Sequence, residues 1–265
     1  MMSRLSNLVK RHPLITFFVL TYVITWGGIP FMGFNAGGPF IAALIAIPLT
    51  QGLAGFKELG SRLIRWRVRW YWYAVALSLP LAIHLLNVGL SVTAGMGIPP
   101  QHFTSLTGLL LYFALRLVNP ADGPVGEEPG WRGFALPGLQ STLSPLASTV
   151  ILAVLVTVWH LPLFFFAGDL PPSVIVGSIL GPITFAFAAT WLFNRTGGSV
   201  LLIIVMHAAE GSINAEGWIY AGLWVAVAIG LVVFDRKAWR GPAPAETATP
   251  PLITHPKKMA APAAP

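Results

Sequence analysis

Residues 105–140 read SLTGLLLYFALRLVNPADGPVGEEPGWRGFALPGLQ, and the way this stretch is built decides the fold. Ser105–Val118 is apolar. It is too short to cross a bilayer, which takes roughly 20 apolar residues. Asn119-Pro-Ala-Asp-Gly-Pro-Val-Gly126 then breaks a helix, because proline lacks an N–H and glycine disfavours helical backbone. Helical sequence resumes at Glu127 with two adjacent carboxylates and runs to Gln140. Irregular backbone at membrane depth is tolerated where it lines a cavity or is buried in protein. Two carboxylates at such a break mark a candidate site.

Outward from this region the chain is apolar in both directions. It has 265 residues, 55% hydrophobic and only 9% charged, with a mean hydropathy of +0.73. That excludes an ordinary soluble domain, which carries roughly 25% charged residues, as well as a disordered chain. Further apolar runs extend from Leu14 to Met32, Pro39 to Phe56, Tyr71 to Met96, Pro145 to Ala167, Ser173 to Phe193, Ser199 to Asn214 and Trp218 to Phe234. The expected fold is an all-α, polytopic membrane bundle of about eight transmembrane helices with a broken fourth. The transmembrane domain is expected over residues 1–240. Residues 241–265, rich in Pro and Ala, are expected to form a disordered tail.

The net charge of +7 is concentrated in loops and termini. Arg4, Lys10 and Arg11 precede the first span, and Lys57, Arg62, Arg65, Arg67 and Arg69 lie between the second and third. Arg195 separates the sixth from the seventh, and Arg236, Lys237, Arg240, Lys257 and Lys258 follow the eighth. Eight spans put all of these on one side, the cytoplasmic one by the positive-inside rule. The chain is therefore expected in the cell (inner) membrane with both termini cytoplasmic, the first span acting as an uncleaved signal anchor. Arg residues among Trp66, Trp70, Tyr71, Trp72 and Tyr73 read as an interfacial belt rather than a nucleic-acid surface. Absence of cysteine removes disulfides, thiolate nucleophiles and Cys-based metal sites.

Ionisable groups within the spans are few: His84, Arg116, Glu127, Glu128, Arg132, His160, His207 and Glu210. At about 1.5 Å per residue, Glu127 and Glu128 lie roughly 18–20 Å from the Gln140 end. His160 lies about 22 Å from Pro145, and His207 roughly 13 Å from Gly198. Carboxylates and imidazoles at similar depth suit hydrolysis: a carboxylate in a low-dielectric pocket can act as general base on water. Neutral imidazoles can bind a divalent metal, orient that water, or donate to an oxyanion. Glu128 and Arg132, four apart, suit a helical ion pair, leaving Glu127 the freer carboxylate. His207, Glu210, Gly211 and Asn214 share a helix face. Each group also has a structural reading: an ion pair for Glu128–Arg132, a hydrogen-bonded buried imidazole for His160 or His207, and packing for Trp131. Arg116 snorkels or pairs with Asp122 and is given no role. No His-Glu-x-x-His, P-loop or dinucleotide motif occurs.

These residues resemble a known family. Glu127-Glu-Pro-Gly-Trp-Arg132 resembles the Glu-Glu-x-x-x-Arg signature of the CPBP family, the CAAX-protease and bacteriocin-processing (Abi) intramembrane proteases. Trp159-His-Leu-Pro162 resembles its second motif, with Val156 where phenylalanine is usual. Asn194-Arg-Thr-Gly-Gly-Ser199 leading to His207 resembles its third, with Gly211 where a polar residue is usual. The resemblance covers about Leu59 to Asn214. It implies hydrolysis of a peptide bond in a membrane-associated protein or peptide, with Glu127 as base and Glu128 and Arg132 supporting it. His160 and His207 would be metal ligands or water- and oxyanion-orienting groups. If a divalent metal is held, zinc is the expected one, on Glu127, His160 and His207, with Glu210 and Asn214 in support; a metal-free glutamate mechanism is the other option. Gly211 favours the rival reading, a non-catalytic relative acting as a binding or immunity protein or scaffold. The expected partners are the substrate and the lipid bilayer, and no nucleic acid.

Overall fold

The computed structural model describes residues 9–99, 105–166, 168–213 and 217–248. Among these every regular element is helical. In chain order they are α1 (Pro13–Met32), α2 (Gly38–Thr50), α3 (Leu53–Leu63), α4 (Trp70–Thr93), α5 (Leu106–Arg116) and α6 (Gly123–Gly130). A π-helical turn, Trp131–Ala135, leads into α7 (Leu136–Gln140). Then follow α8 (Pro145–His160), α9 (Pro162–Phe166), α10 (Pro172–Arg195), α11 (Val200–Ile213), α12 (Trp218–Phe234) and α13 (Arg236–Arg240). Pro13–Met32, Trp70–Thr93, Pro145–Phe164 and Pro172–Arg195 are long and apolar enough to cross a membrane, and α2, α5, α11 and α12 are shorter apolar helices. The all-α membrane bundle with a broken fourth segment is therefore the observed fold.

The second apolar run differs from its expected extent. Rather than continuing from Pro39 to Phe56, it ends at Thr50 and turns through Gly52 at φ +66°. An L side chain rarely adopts that conformation, so glycine sets the corner. Beyond it the chain re-forms as α3, whose charged residues lie on one face.

Outer helix faces carry exposed apolar side chains at helical spacing: Ile15, Val19 and Val23 on α1, Leu77, Leu81 and Leu85 on α4, Val150, Val154 and Val158 on α8. Apolar faces repeated around a bundle match a lipid environment. The inner core is aromatic. Trp131 is fully buried, edge-on to Phe17 (5.7 Å) and Trp159 (5.5 Å) and stacked on Phe18 (6.1 Å). Helices α1 and α8 thus hold one side chain of the π turn between them.

The basic loops meet at one end of the bundle. Arg65 donates to Gly197 O (2.7 Å), and Ser199 Oγ donates to Arg65 O (2.7 Å). Arg195 and Trp191 both bond Asp235. The Trp191 indole N–H, with Arg195 beside it, holds the Asp235 carboxyl below the usual carboxylate range. Residues after α13 also lie against this end, with Thr247 buried and donating to Gln140 Oε1 (3.3 Å). The remainder of the expected tail, 249–265, lies outside the described residues.

The break itself is packed at the other end. A Cβ on Gly126 would stand 2.7 Å from Ala36 O, and one on Gly130 would stand 2.6 Å from the Pro39 carbonyl carbon. This Gly-x-x-x-Gly pair lets the α6 backbone press onto the start of α2. The obstruction is backbone, which cannot swing aside. Gly130→Ala is therefore expected to destabilise by about 1–3 kcal/mol, the usual cost of overpacking. Thermal unfolding in detergent measures it; an unchanged midpoint would mean the two backbones part freely.

Candidate active site

Helix α6 starts where Asp122 Oδ1 accepts the Gly123 N–H (2.7 Å). With Gly126 and Gly130 turned to α2, Glu127 and Glu128 face the opposite way, toward α11. Pro129 sits inside the helix and donates no hydrogen bond, and the π turn follows at once. That turn is stabilised from outside. Arg62 of α3, 1% exposed, donates to Gly133 O at 2.9 Å and pairs with Glu58 at 3.0 Å. Burial lowers its guanidinium to about 10, so it remains a cation at neutral pH.

Glu128 is fully buried and accepts from Arg132 Nη1 at 3.0 Å on both oxygens. It also meets His207 Nδ1 at 2.7 Å. A carboxylate only accepts, so Nδ1 carries the proton in this bond and Nε2 is the imidazole's other face. The expected Glu128–Arg132 pair is thus present and doubles as the support for His207. Phe185 of α10 closes the arrangement, its ring 5.0 Å from that of His207 and 5.5 Å from the Arg132 guanidinium.

Glu127 Oε2 accepts from Trp131 Nε1 at 3.3 Å. Its other oxygen faces His207: the position of a Cβ on Gly123 lies 3.0 Å from Glu127 Oε1 and 3.2 Å from His207 Nε2. Both groups therefore stand against the Gly123 backbone. His160 ends α8 with Nδ1 2.8 Å from Val156 O, so this nitrogen donates and Nε2 is left as the acceptor. Pro162 two residues on begins the short α9.

Glu127, Arg132, His160, His207 and Glu210 line one cavity of about 460 Å³. Its remaining wall is mainly apolar and includes Leu163, Val174, Pro182 and Trp224. Glu210 accepts from Tyr220 OH at 3.2 Å. The cavity therefore combines carboxylates, imidazoles and a guanidinium with an apolar wall.

Asn214 lies outside the described residues. Gly211 does not open onto the cavity; the guanidinium of Arg116 lies against it. Among the described residues no three His, Asp or Glu are grouped so as to hold a metal ion. Glu128 holds His207 through Nδ1 and is itself held by Arg132. His207 Nε2, His160 Nε2 and the Glu127 carboxylate are the groups that would hold a divalent metal, which would supply a polarised water. Sequence reasoning missed Trp131 as a partner of Glu127, Arg62 as a support of the π turn, and Phe185 as a wall. Only Trp131, four residues from Glu127 on the same helical face, had a readable signal.

A family model described as type II CAAX prenyl endopeptidase, Rce1-like, matches residues 107–213. The chain is also similar to CAAX prenyl protease 2 of Methanococcus maripaludis, 25% identical over 260 residues that cover 86% of this chain and 96% of that relative. The matched segment starts in α5 and ends with α11, so it contains Glu127, Arg132, His160, His207 and Glu210. Over this segment the chain resembles the CAAX prenyl endopeptidases.

Proposed function

We propose that the protein is an intramembrane endopeptidase in which Glu127 activates a water molecule. The observation that carries this reading is that Glu127, His160 and His207, from three different helices, line one cavity, with Glu127 Oε1 and His207 Nε2 both against Gly123. Glu127 takes a proton from the water while the oxygen adds to the scissile carbonyl carbon, giving a tetrahedral oxyanion. The protonated Glu127 then delivers that proton to the departing amine as the C–N bond breaks. His160 Nε2, an acceptor, places the water, and His207, as an imidazolium backed by Glu128, donates its Nε2–H to the oxyanion. Glu128, clamped by Arg132, holds His207 from behind in one orientation, as a carboxylate does for a catalytic imidazole.

The substrate class is inferred from the cavity's apolar wall beside its ionisable groups and from the relative named CAAX prenyl protease 2. We assign a membrane-associated protein or peptide whose apolar chain lies against Leu163, Val174 and Trp224. The basic end of the bundle faces the cytoplasm of the cell membrane in this reading.

The test uses the full chain in proteoliposomes and a peptide with an isoprenylated C-terminal cysteine. The wild type cleaves it, and His160→Ala and His207→Ala each lose about 100-fold or more, within the usual range for general acid–base groups. Cleavage untouched by both substitutions would discard this site. A chelator is expected to leave the rate unchanged. A chelator-sensitive rate with one zinc per chain would instead make metal-bound water the nucleophile.

A further inference from the structure

We propose that Arg116 is a positioning residue for the Glu127–His207 pair, and that position 211 is glycine so that its guanidinium can lie there. The proposal rests on the hydrolytic reading of that pair. Arg116 closes α5 and is 8% exposed. Its Nη1 lies 3.0 Å from Asp122 Oδ1 and 3.1 Å from Tyr112 OH. Its Nε is buried and makes no hydrogen bond among the described residues. A Cβ on Gly211 would stand 2.7 Å from the guanidinium carbon. Any side chain at 211 would therefore displace the cation.

Three elements meet at this one group. Asp122, which Arg116 holds, also accepts the Gly123 N–H at 2.7 Å and so fixes where α6 begins. Gly123 is the residue against which both Glu127 Oε1 and His207 Nε2 stand. Gly211 lies one turn beyond His207 on α11. The guanidinium thus links the cap of α6 to the α11 backbone, spanning the dimension that sets how far Glu127 stands from His207. A buried cation costs several kcal/mol of desolvation that an apolar residue filling the same space would not incur. Packing alone does not account for an arginine here. A charge-assisted clasp that fixes the α6 cap does.

The experiment compares Arg116→Ala, Arg116→Lys, Gly211→Ala and the Arg116→Ala/Gly211→Ala double variant in full-length protein. Two quantities are read: kcat and KM on the isoprenylated peptide, and the rate at which diethyl pyrocarbonate modifies His207, followed by mass spectrometry. A misplacement near 1 Å costs roughly 100-fold in rate. Arg116→Ala and Gly211→Ala are each expected to lower kcat about 10- to 100-fold with KM within about twofold. The double variant should lose no more than either single one, because both remove the same interaction. Arg116→Lys keeps the Asp122 pair and should recover most of kcat. His207 reactivity should change several-fold in the alanine variants and return with lysine. Unchanged His207 reactivity, additive losses in kcat, or a loss explained wholly by less folded protein would overturn the proposal. If reactivity shifts as stated while even the wild type cleaves nothing, the positioning role stands and the hydrolytic reading falls.

Discussion

Glu127→Gln is expected to give a folded protein whose kcat falls about 1,000-fold, in the middle of the range for loss of a general base. The substitution keeps shape and burial. Its amide oxygen can still accept from Trp131 Nε1, which bonds Glu127 Oε2 in the wild type. What it removes is the capacity to take a proton from water. Trp131 is locked among Phe17, Phe18 and Trp159, so the side chain at 127 should keep its place. Single-turnover cleavage in proteoliposomes, normalised to folded protein, measures the effect. A rate within tenfold of wild type would place the base elsewhere. The nearest other carboxylate on the cavity is Glu210, and Glu210→Gln would then be the variant to examine.

The largest stability effect is expected at Arg132. Its guanidinium is 2% exposed and bonds both oxygens of a carboxylate that is itself fully buried. Arg132→Met leaves Glu128 with His207 as its remaining partner among the described residues. Removing one partner of a buried pair costs about 3–5 kcal/mol, because the other charge stays buried and uncompensated. In a chain of this size that lowers the thermal midpoint on the order of 10 °C. Adding Glu128→Gln should restore much of the loss, since no lone charge is then buried. The double variant should still be inactive, because His207 has lost the carboxylate behind it. If Arg132→Met melts with the wild type, the pair is not a support of the fold.

Much of the candidate site was legible in the chain because it is written locally. Glu128 and Arg132 are one helical turn apart, and their pairing needs only α-like geometry, which the π turn preserves. Gly126 was read as part of a helix break, and Gly130 was given no role. Helix preference and helix packing pull opposite ways for glycine. Only the position of Ala36 and Pro39 tells that packing wins here. Arg62 was read as one of several loop cations, and Arg116 as a residue pairing with Asp122 or reaching for the interface. The first is buried against the Gly133 carbonyl 71 positions away. The second pairs with Asp122 and also lies on Gly211 of another helix.

The sequence by itself determined the solvent, the secondary structure and the chemical vocabulary. A chain 9% charged and 55% hydrophobic can satisfy its backbone in lipid only as helices, and its few intramembrane ionisable groups are three glutamates, two arginines and three histidines. Tertiary structure alone decided which nitrogen of each histidine is committed and what stands against residue 211. Those outcomes depend on atoms brought within about 3 Å from helices distant in the chain, at the reach of a hydrogen bond. Helical periodicity can place a residue on a face, but it carries no information about what the facing helix presents.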